Sequence, residues 1–208
     1  MQFKSVKRVL FPLLKGGKEW QFIDINGKEI KPRFFLSDIQ WGILIICLFI
    51  NFKLLRGLSE DMIGYIMSAF SISVSLFMSL LVNIFDKFEN TELTTKNKTE
   101  EEIIRLIQKK NFFKRFISVT SYLVILSILI ILLCSVNYIF SIDNKIDYKN
   151  FTVEIDDIDI QVTIKNIFLL IYRTLLNFLL LYYLFLTLFI TSSAYEYYIS
   201  EIDRRKIK

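Results

Sequence analysis

The sequence contains no histidine, and this absence weakens several classes of function at once. Histidine is the usual general base near neutral pH and the commonest protein ligand for metals. The sequence also lacks the glycine patterns of phosphate and dinucleotide sites, the zinc-protease helix motif and the serine nucleophile elbow. We therefore predict a non-enzymatic protein with no catalytic residue, cofactor-binding residue or metal site.

Cysteine, glycine and proline are also scarce. The two cysteines, Cys47 and Cys134, lie inside apolar runs, so the sequence predicts neither a disulfide framework nor a zinc site. Six glycines and two prolines in 208 residues disfavour a loop-rich soluble fold and the broken helices of secondary transporters. By contrast, hydrophobic residues make up 53% of the chain, with 20 Phe and 10 Tyr, which is typical of long apolar helices.

Four apolar segments are candidates for membrane spans, each of which needs about 20 mostly apolar residues. Three are long enough by themselves, with uncharged runs of 24, 27 and 22 residues at 62–85, 116–142 and 174–195. The fourth is weaker, because only 14 uncharged residues lie between Ile39 and Phe52. It becomes adequate if Asp38 occupies the first helical turn after a Ser37 N-cap and Lys53 reaches the membrane surface.

We therefore predict an all-α, four-helix transmembrane bundle over 36–195. The predicted spans are about 36–55, 62–85, 116–142 and 167–195. Twenty of the 26 Lys and Arg residues fall in 1–35, 86–115 and 196–208, against five in 53–61 and 143–165. This bias predicts a multi-pass protein of the bacterial cytoplasmic membrane. An even number of spans then places both termini in the cytoplasm, with 143–165 as the outer loop and 196–208 as a cytoplasmic tail.

The N-terminal segment 1–35 predicts two elements on the cytoplasmic side. Residues Phe3 to Leu14 form a basic, amphipathic stretch, and Asn26-Gly27 between apolar runs predicts a β-hairpin over Trp20 to Ile30. Two interpretations are open: an anchor at anionic headgroups, or a docking surface for a soluble partner. The candidate docking residues are Trp20, Phe22, Asn26, Gly27, Arg105 and Lys109.

The two larger loops also carry local signals. Thr99 followed by Glu102 is a capping box, and no Gly or Pro separates it from the third span. The sequence thus predicts one helix from about Glu100 to Ile142, about 43 residues and ~65 Å long. In the outer loop, alternating apolar residues at 151–155 and 158–164 predict two short strands or one bulged strand.

Polar residues form two patterns within the spans. In the second span they recur on one helix face, which predicts either a packing seam between helices or a polar pore wall: Gly64, Ser68, Ser71, Ser75, Ser79 and Asn83. In the fourth, Arg173 and Asn177 share a face. We expect Arg173 at the outer membrane surface; the alternative places it inside the bundle, paired with Glu60 or Asp61.

The layout resembles small four-span membrane proteins of prokaryotic antiviral systems, namely the membrane accessory of type VI-B CRISPR systems and the membrane subunit of the Kiwa system. The resemblance lies in chain length, span number, the uninterrupted run from Ile63 to Phe85 before Asp86, and the charged helix leading into Ser121-Tyr122. It carries over no functional residue. It implies a protein that senses envelope stress or changes membrane permeability together with a cytoplasmic partner.

Three functions follow as hypotheses. The first is an oligomeric membrane effector or sensor in antiviral defence, with altered membrane permeability as one way of acting. The alternatives are a non-conducting scaffold that recruits a cytoplasmic protein, and a transporter subunit. The expected partners are the lipid bilayer, further copies of this chain and a soluble cytoplasmic protein, without sequence-specific binding of nucleic acid.

Overall fold

Five α-helices dominate the computed structural model, which describes residues 3–30, 32, 34, 36–53, 58–90, 99–140 and 160–203. The helices are α1 (Phe3–Glu19), α2 (Asp38–Lys53), α3 (Glu60–Glu89), α4 (Glu100–Phe140) and α5 (Ile160–Asp203). Within this described part, no segment forms an extended strand. Helix α4 is central, because α1, α3 and α5 all pack against it, whereas α2 packs against α5.

The core is built by α3, α4 and α5. Helices α4 and α5 are antiparallel: Phe112 stacks on Tyr197 with ring centroids 4.1 Å apart, while the Tyr172 hydroxyl donates to the Leu133 carbonyl at 2.6 Å. Helix α3 faces this pair with one side, from which residues seven apart are buried or half-buried: Ile63, Phe70, Phe77 and Ile84. That spacing returns to the same helix face after two turns, so α3 has one packing face and leaves the other uncovered.

The capping signals at two helix starts are confirmed. The Thr99 amide donates to Glu102 Oε2 at 2.9 Å and the Glu102 amide donates to Thr99 Oγ1 at 3.4 Å, the reciprocal pair expected of a capping box. Helix α4 therefore begins at Glu100 and continues for 41 residues, as predicted. Before α2, Ser37 makes the same exchange with Gln40.

The prediction of a four-span bundle is wrong. Among the described residues, three helices are long and apolar enough to cross a membrane: Glu60–Glu89, Glu100–Ile139 and Ile164–Asp203. Helix α2 has 16 residues, which extend only ~24 Å against a hydrocarbon layer of about 30 Å. The described helix reaches Lys53, and residues 54 and 55 of the predicted span lie outside the described part of the chain. The prediction that both termini lie in the cytoplasm assumed an even number of spans, which the described helices do not provide.

The predicted β-hairpin is also wrong. Between Trp20 and Ile30 only an isolated antiparallel bridge joins Ile23 to Glu29. Gly27 does adopt the positive φ (83°) that Asn-Gly turns favour. A ladder does not form, because the segment lies against α4, where the Asn111 side chain donates to the Ile25 carbonyl at 3.1 Å.

The strand predicted at 158–164 is wrong where the structure describes these residues. Residues 141–159 lie outside the described part of the chain. Ile160 and Ile164, expected in a strand, belong to the first turns of α5. The helix also continues through the expected tail as far as Asp203. A short alternation of apolar residues favours a strand only weakly, and here the same residues are incorporated into a 44-residue helix.

The amino-terminal segment and the end of α5 lie at the same end of the bundle. The Gln108 amide donates to Asn26 Oδ1 at 2.9 Å, and a small cleft there is lined by Asn26, Arg105 and Glu201. This end, which also holds the start of α4 and the end of α3, is called the charged end below. Its location in the cytoplasm stays a prediction.

Candidate functional site

A buried tyrosine connects three parts of the chain within the bundle. The Tyr182 hydroxyl of α5 donates to Gln21 Oε1 at 2.6 Å and accepts from Gln40 Nε2 of α2 at 3.0 Å. Tyr182 and Gln40 are both buried, at 5% and 8% exposure. We call Gln21, Gln40 and Tyr182 the tyrosine cluster. A single hydroxyl thus holds α2 and the segment after α1 on the same helix.

The position of Gln21 follows from the close docking of α1 on α4. The Gln21 amide donates to the Gly17 carbonyl at 2.8 Å, which fixes the side chain against the end of α1. At Gly17 the helix lies so near α4 that an added Cβ would come within 2.5 Å of Tyr122 Cβ. Tyr122 in turn packs edge-on against Tyr182, with ring centroids 6.5 Å apart. Glycine at residue 17 is therefore a condition for assembling the cluster.

A second polar cluster joins the other end of α2 to α5. Asn51 Nδ2 donates to Thr174 Oγ1 at 2.8 Å, and Asn177 Nδ2 donates to Asn51 Oδ1 at 2.9 Å. Asn51 is fully buried. We call Asn51, Thr174 and Asn177 the asparagine cluster. Amide pairs of this kind hold helices together in apolar surroundings, where water does not compete for the hydrogen bonds.

Arg173 lies beside the asparagine cluster in sequence and is buried, with 6% of its surface exposed. The expectation of an arginine that reaches outward to the membrane surface does not describe this side chain. Asn177 occupies the same helix face and bonds to α2, as described above. The structure thus brings Asn177 into a hydrogen-bond network with α2 at this place, while the pairing of Arg173 with Glu60 or Asp61 stays a prediction.

Replacing Asn51 by alanine is expected to weaken the attachment of α2. The change removes the acceptor of Asn177 and the donor to Thr174, and interhelical hydrogen bonds in membranes contribute about 0.6–1.7 kcal/mol. Unfolding free energies in mixed micelles should show this loss for Asn51→Ala. A double-mutant cycle with Asn177→Ala should be non-additive, whereas a cycle with the exposed Asn83→Ala should be additive. Additivity in both cycles would contradict the contact.

Within the part of the chain that the structure describes, no other helix covers the polar stripe of α3. All six of its residues are exposed: Gly64, Ser68, Ser71, Ser75, Ser79 and Asn83. Each serine hydroxyl donates to a carbonyl one turn earlier, as in Ser71 to Met67 at 2.8 Å and Ser79 to Ser75 at 3.1 Å. We call this surface the serine face. All four serine hydroxyls donate within α3. The serine face therefore presents small side chains and does not require a polar partner.

The candidate docking residues have mostly intramolecular roles. Trp20 packs on the core and Asn26 bonds to Gln108 of α4. Gly27 supplies the turn, and a Cβ added to it would lie 3.2 Å from Asn111 Nδ2. Phe22 lines a cleft against α5, described below. Arg105 and Lys109 line two different small clefts at the charged end.

Sequence reasoning missed Gln21, Gln40, Tyr182 and Asn51. A signal was present for Asn51, which is a lone amide in an otherwise apolar run. Gln40 was readable only as a cap of α2. Tyr182 is one of ten tyrosines, and nothing in its neighbourhood marks it. Its role depends on α1, α2 and α5 meeting at one place.

Among the described residues, no group of three or more His, Cys, Asp or Glu side chains is placed to hold a metal ion. Comparison with protein-family models, with curated proteins and with solved structures gave no match. Functional reasoning therefore rests on the two polar clusters, the serine face and the charged end.

Proposed function

We propose that this chain is a non-enzymatic integral membrane effector or sensor that acts as a homo-oligomer joined through the serine face. The supporting observation is that α3 packs on α4 with one side and exposes a row of small residues on another. Small residues allow close approach of helix backbones, which favours association in lipid. Three apolar helices of sufficient length support the membrane setting.

The charged end is the proposed contact region for a soluble cytoplasmic partner. It collects the start of α4, the end of α5 and the turn around Asn26, with Arg105, Glu196 and Glu201 around one cleft. Mixed charges at a cleft rim suit a polar protein surface. The setting we propose is antiviral defence in the bacterial cytoplasmic membrane, on the basis of the layout resemblance given above.

Bulky substitutions on the serine face test the oligomer. Ser71→Leu and Ser75→Leu should each reduce cross-linked oligomer in membranes, because a large side chain separates the helix backbones. The matched control is Leu80→Phe, which adds bulk to an exposed α3 residue (37%) about 140° away from Ser75 around the helix axis. Oligomer yields equal to wild type in both serine variants would contradict the proposal.

The same variants separate an effector from a scaffold. Purified protein in vesicles is assayed for dye and ion leakage, with the partner present, and phage plating is scored in cells. An effector should lose leakage and protection together in Ser71→Leu. A non-conducting scaffold, the alternative favoured by the cleft at the charged end, should form oligomers and recruit its partner without leakage.

A further inference from the structure

A cleft of about 440 Å³ opens between α5, the start of α2 and the segment after α1. Its volume falls in the range of ~300–1,000 Å³ that is typical of small-molecule sites. The lining is mainly apolar and comes from three separate elements: Phe22, Ile30, Ile39, Phe185, Leu186 and Phe189. No single element forms it, so the cleft exists only while the tyrosine cluster holds these parts together.

The depth of the cleft follows from its neighbours on α4. The Arg115 guanidinium lies 4.4 Å from the centroid of the Phe189 ring, and Arg115 is the last charged residue before the apolar run of α4. One end of the cleft is therefore level with the border of that run. Tyr182, at the other end, is seven residues earlier in α5, which is ~10 Å along the helix. The cleft thus starts at the polar border and extends into the apolar part of the bundle.

The cleft has one charged lining residue, the exposed Asp38 at the start of α2, whereas its uncharged polar side chains bond to one another. Tyr182 is bonded to Gln21 and Gln40, and the Gln40 carbonyl oxygen accepts from the Ser37 amide at 2.9 Å. They give a ligand few directional contacts. Recognition would come from the apolar walls, which favours a flexible hydrocarbon over a polar metabolite.

We infer that this cleft binds an acyl chain of a membrane phospholipid. The cleft is open at one side, since two of its lining residues, Ile30 and Ile39, are exposed at 66% and 50%. An acyl chain can enter from that side. The bound chain would contact α2, α5 and the segment after α1 together, independently of any oligomer.

Native mass spectrometry of the full-length protein tests the inference. The protein is reconstituted in vesicles of phosphatidylethanolamine and phosphatidylglycerol, extracted in mild detergent and delipidated stepwise. Wild type should retain one phospholipid per chain after the remaining lipids are removed. Ile39→Trp fills the cleft and should lower the retained fraction roughly tenfold, which corresponds to losing the burial of about two methylenes.

The matched control is Ile46→Trp. Ile39 and Ile46 are both isoleucines of α2, exposed at 50% and 52%, and only Ile39 lines the cleft. The control should retain lipid like wild type. Phe185→Trp, on the opposite wall, provides a second cleft-filling variant should Ile39→Trp lose helicity. The inference is overturned by a wild type that retains only detergent or a second copy of the chain, or by equal retention in Ile46→Trp and a folded cleft variant.

Discussion

Tyr182→Phe is expected to lower the free energy of unfolding by about 1–3 kcal/mol. The substitution removes one oxygen atom and leaves the ring in place. That oxygen serves Gln21 and Gln40 together, at 2.6 Å and 3.0 Å. Without it, the Gln21 oxygen loses its donor and the Gln40 amide loses its acceptor in a largely apolar environment, and such groups cost more than the hydrogen bond itself contributed. Unfolding in mixed micelles measures the loss.

The adjacent tyrosine supplies the control. Tyr183 is as buried as Tyr182, at 5% exposure, but its hydroxyl has no hydrogen-bond partner among the described residues. Its ring contacts Phe70 of α3, with centroids 4.7 Å apart, and phenylalanine retains that contact. Tyr183→Phe should therefore be neutral or stabilising. Equal destabilisation by both substitutions would show that ring packing, and not the hydroxyl bridge, dominates at Tyr182.

Gly17→Ala is expected to release α1 from α4. The new Cβ would lie 2.5 Å from Tyr122 Cβ and 2.8 Å from Cγ, and neither atom belongs to the movable end of a side chain. Overpacking of this kind costs about 1–3 kcal/mol. Because the strain acts on the docking of one helix, amide exchange in α1 should accelerate by about 5- to 150-fold. Hydrogen exchange followed by mass spectrometry measures the change.

Gly16→Ala separates this steric effect from helix propensity. An added Cβ at Gly16 would meet only Ser118 Oγ, at an ordinary 3.7 Å. Alanine is favoured over glycine in helices by about 1 kcal/mol, so Gly16→Ala should slow exchange in α1 or leave it unchanged. Faster exchange in Gly16→Ala, or protection unchanged in Gly17→Ala, would rule out the close approach at Tyr122.

Gly17→Ala and Tyr182→Phe both act on Gln21, which lines the cleft beside α5. Gln21 follows α1 directly and bonds to the Gly17 carbonyl. Displacing α1 should therefore also disturb the tyrosine cluster, and with it one wall of the cleft. We expect Gly17→Ala and Tyr182→Phe to be non-additive in stability, since both act on contacts of Gln21.

The sequence by itself determined the properties that depend on local runs of residues. Length and uninterrupted hydrophobicity located α3, α4 and α5, and the capping pair Thr99–Glu102 marked where α4 begins. The spacing of four and three residues placed the serines on one face of α3. These features follow from helix geometry and from the cost of apolar surface in water, both of which act within one segment.

Where the local signals conflicted with tertiary contacts, the sequence predicted wrongly. Asn26-Gly27 indicated a hairpin, but the segment bonds to Asn111 and Gln108 of α4. The isoleucines at 160–164 alternate as in a strand, yet they begin a 44-residue helix. The apolar run of α2 suggested a fourth span, but the described helix, Asp38–Lys53, has only 16 residues. A short pattern has little influence on structure when a longer element competes for the same residues.

Only the tertiary structure decided which polar residues act together. Tyr182, Gln21 and Gln40 are up to 161 residues apart in sequence, and Asn51 meets Asn177 across 126. It likewise decided that the serine face is uncovered and that Arg173 is buried. Such contacts depend on which helix faces meet, and the sequence of one helix does not specify its neighbour. The apolar helices are therefore properties of the sequence, whereas the polar clusters and the cleft are properties of the packing.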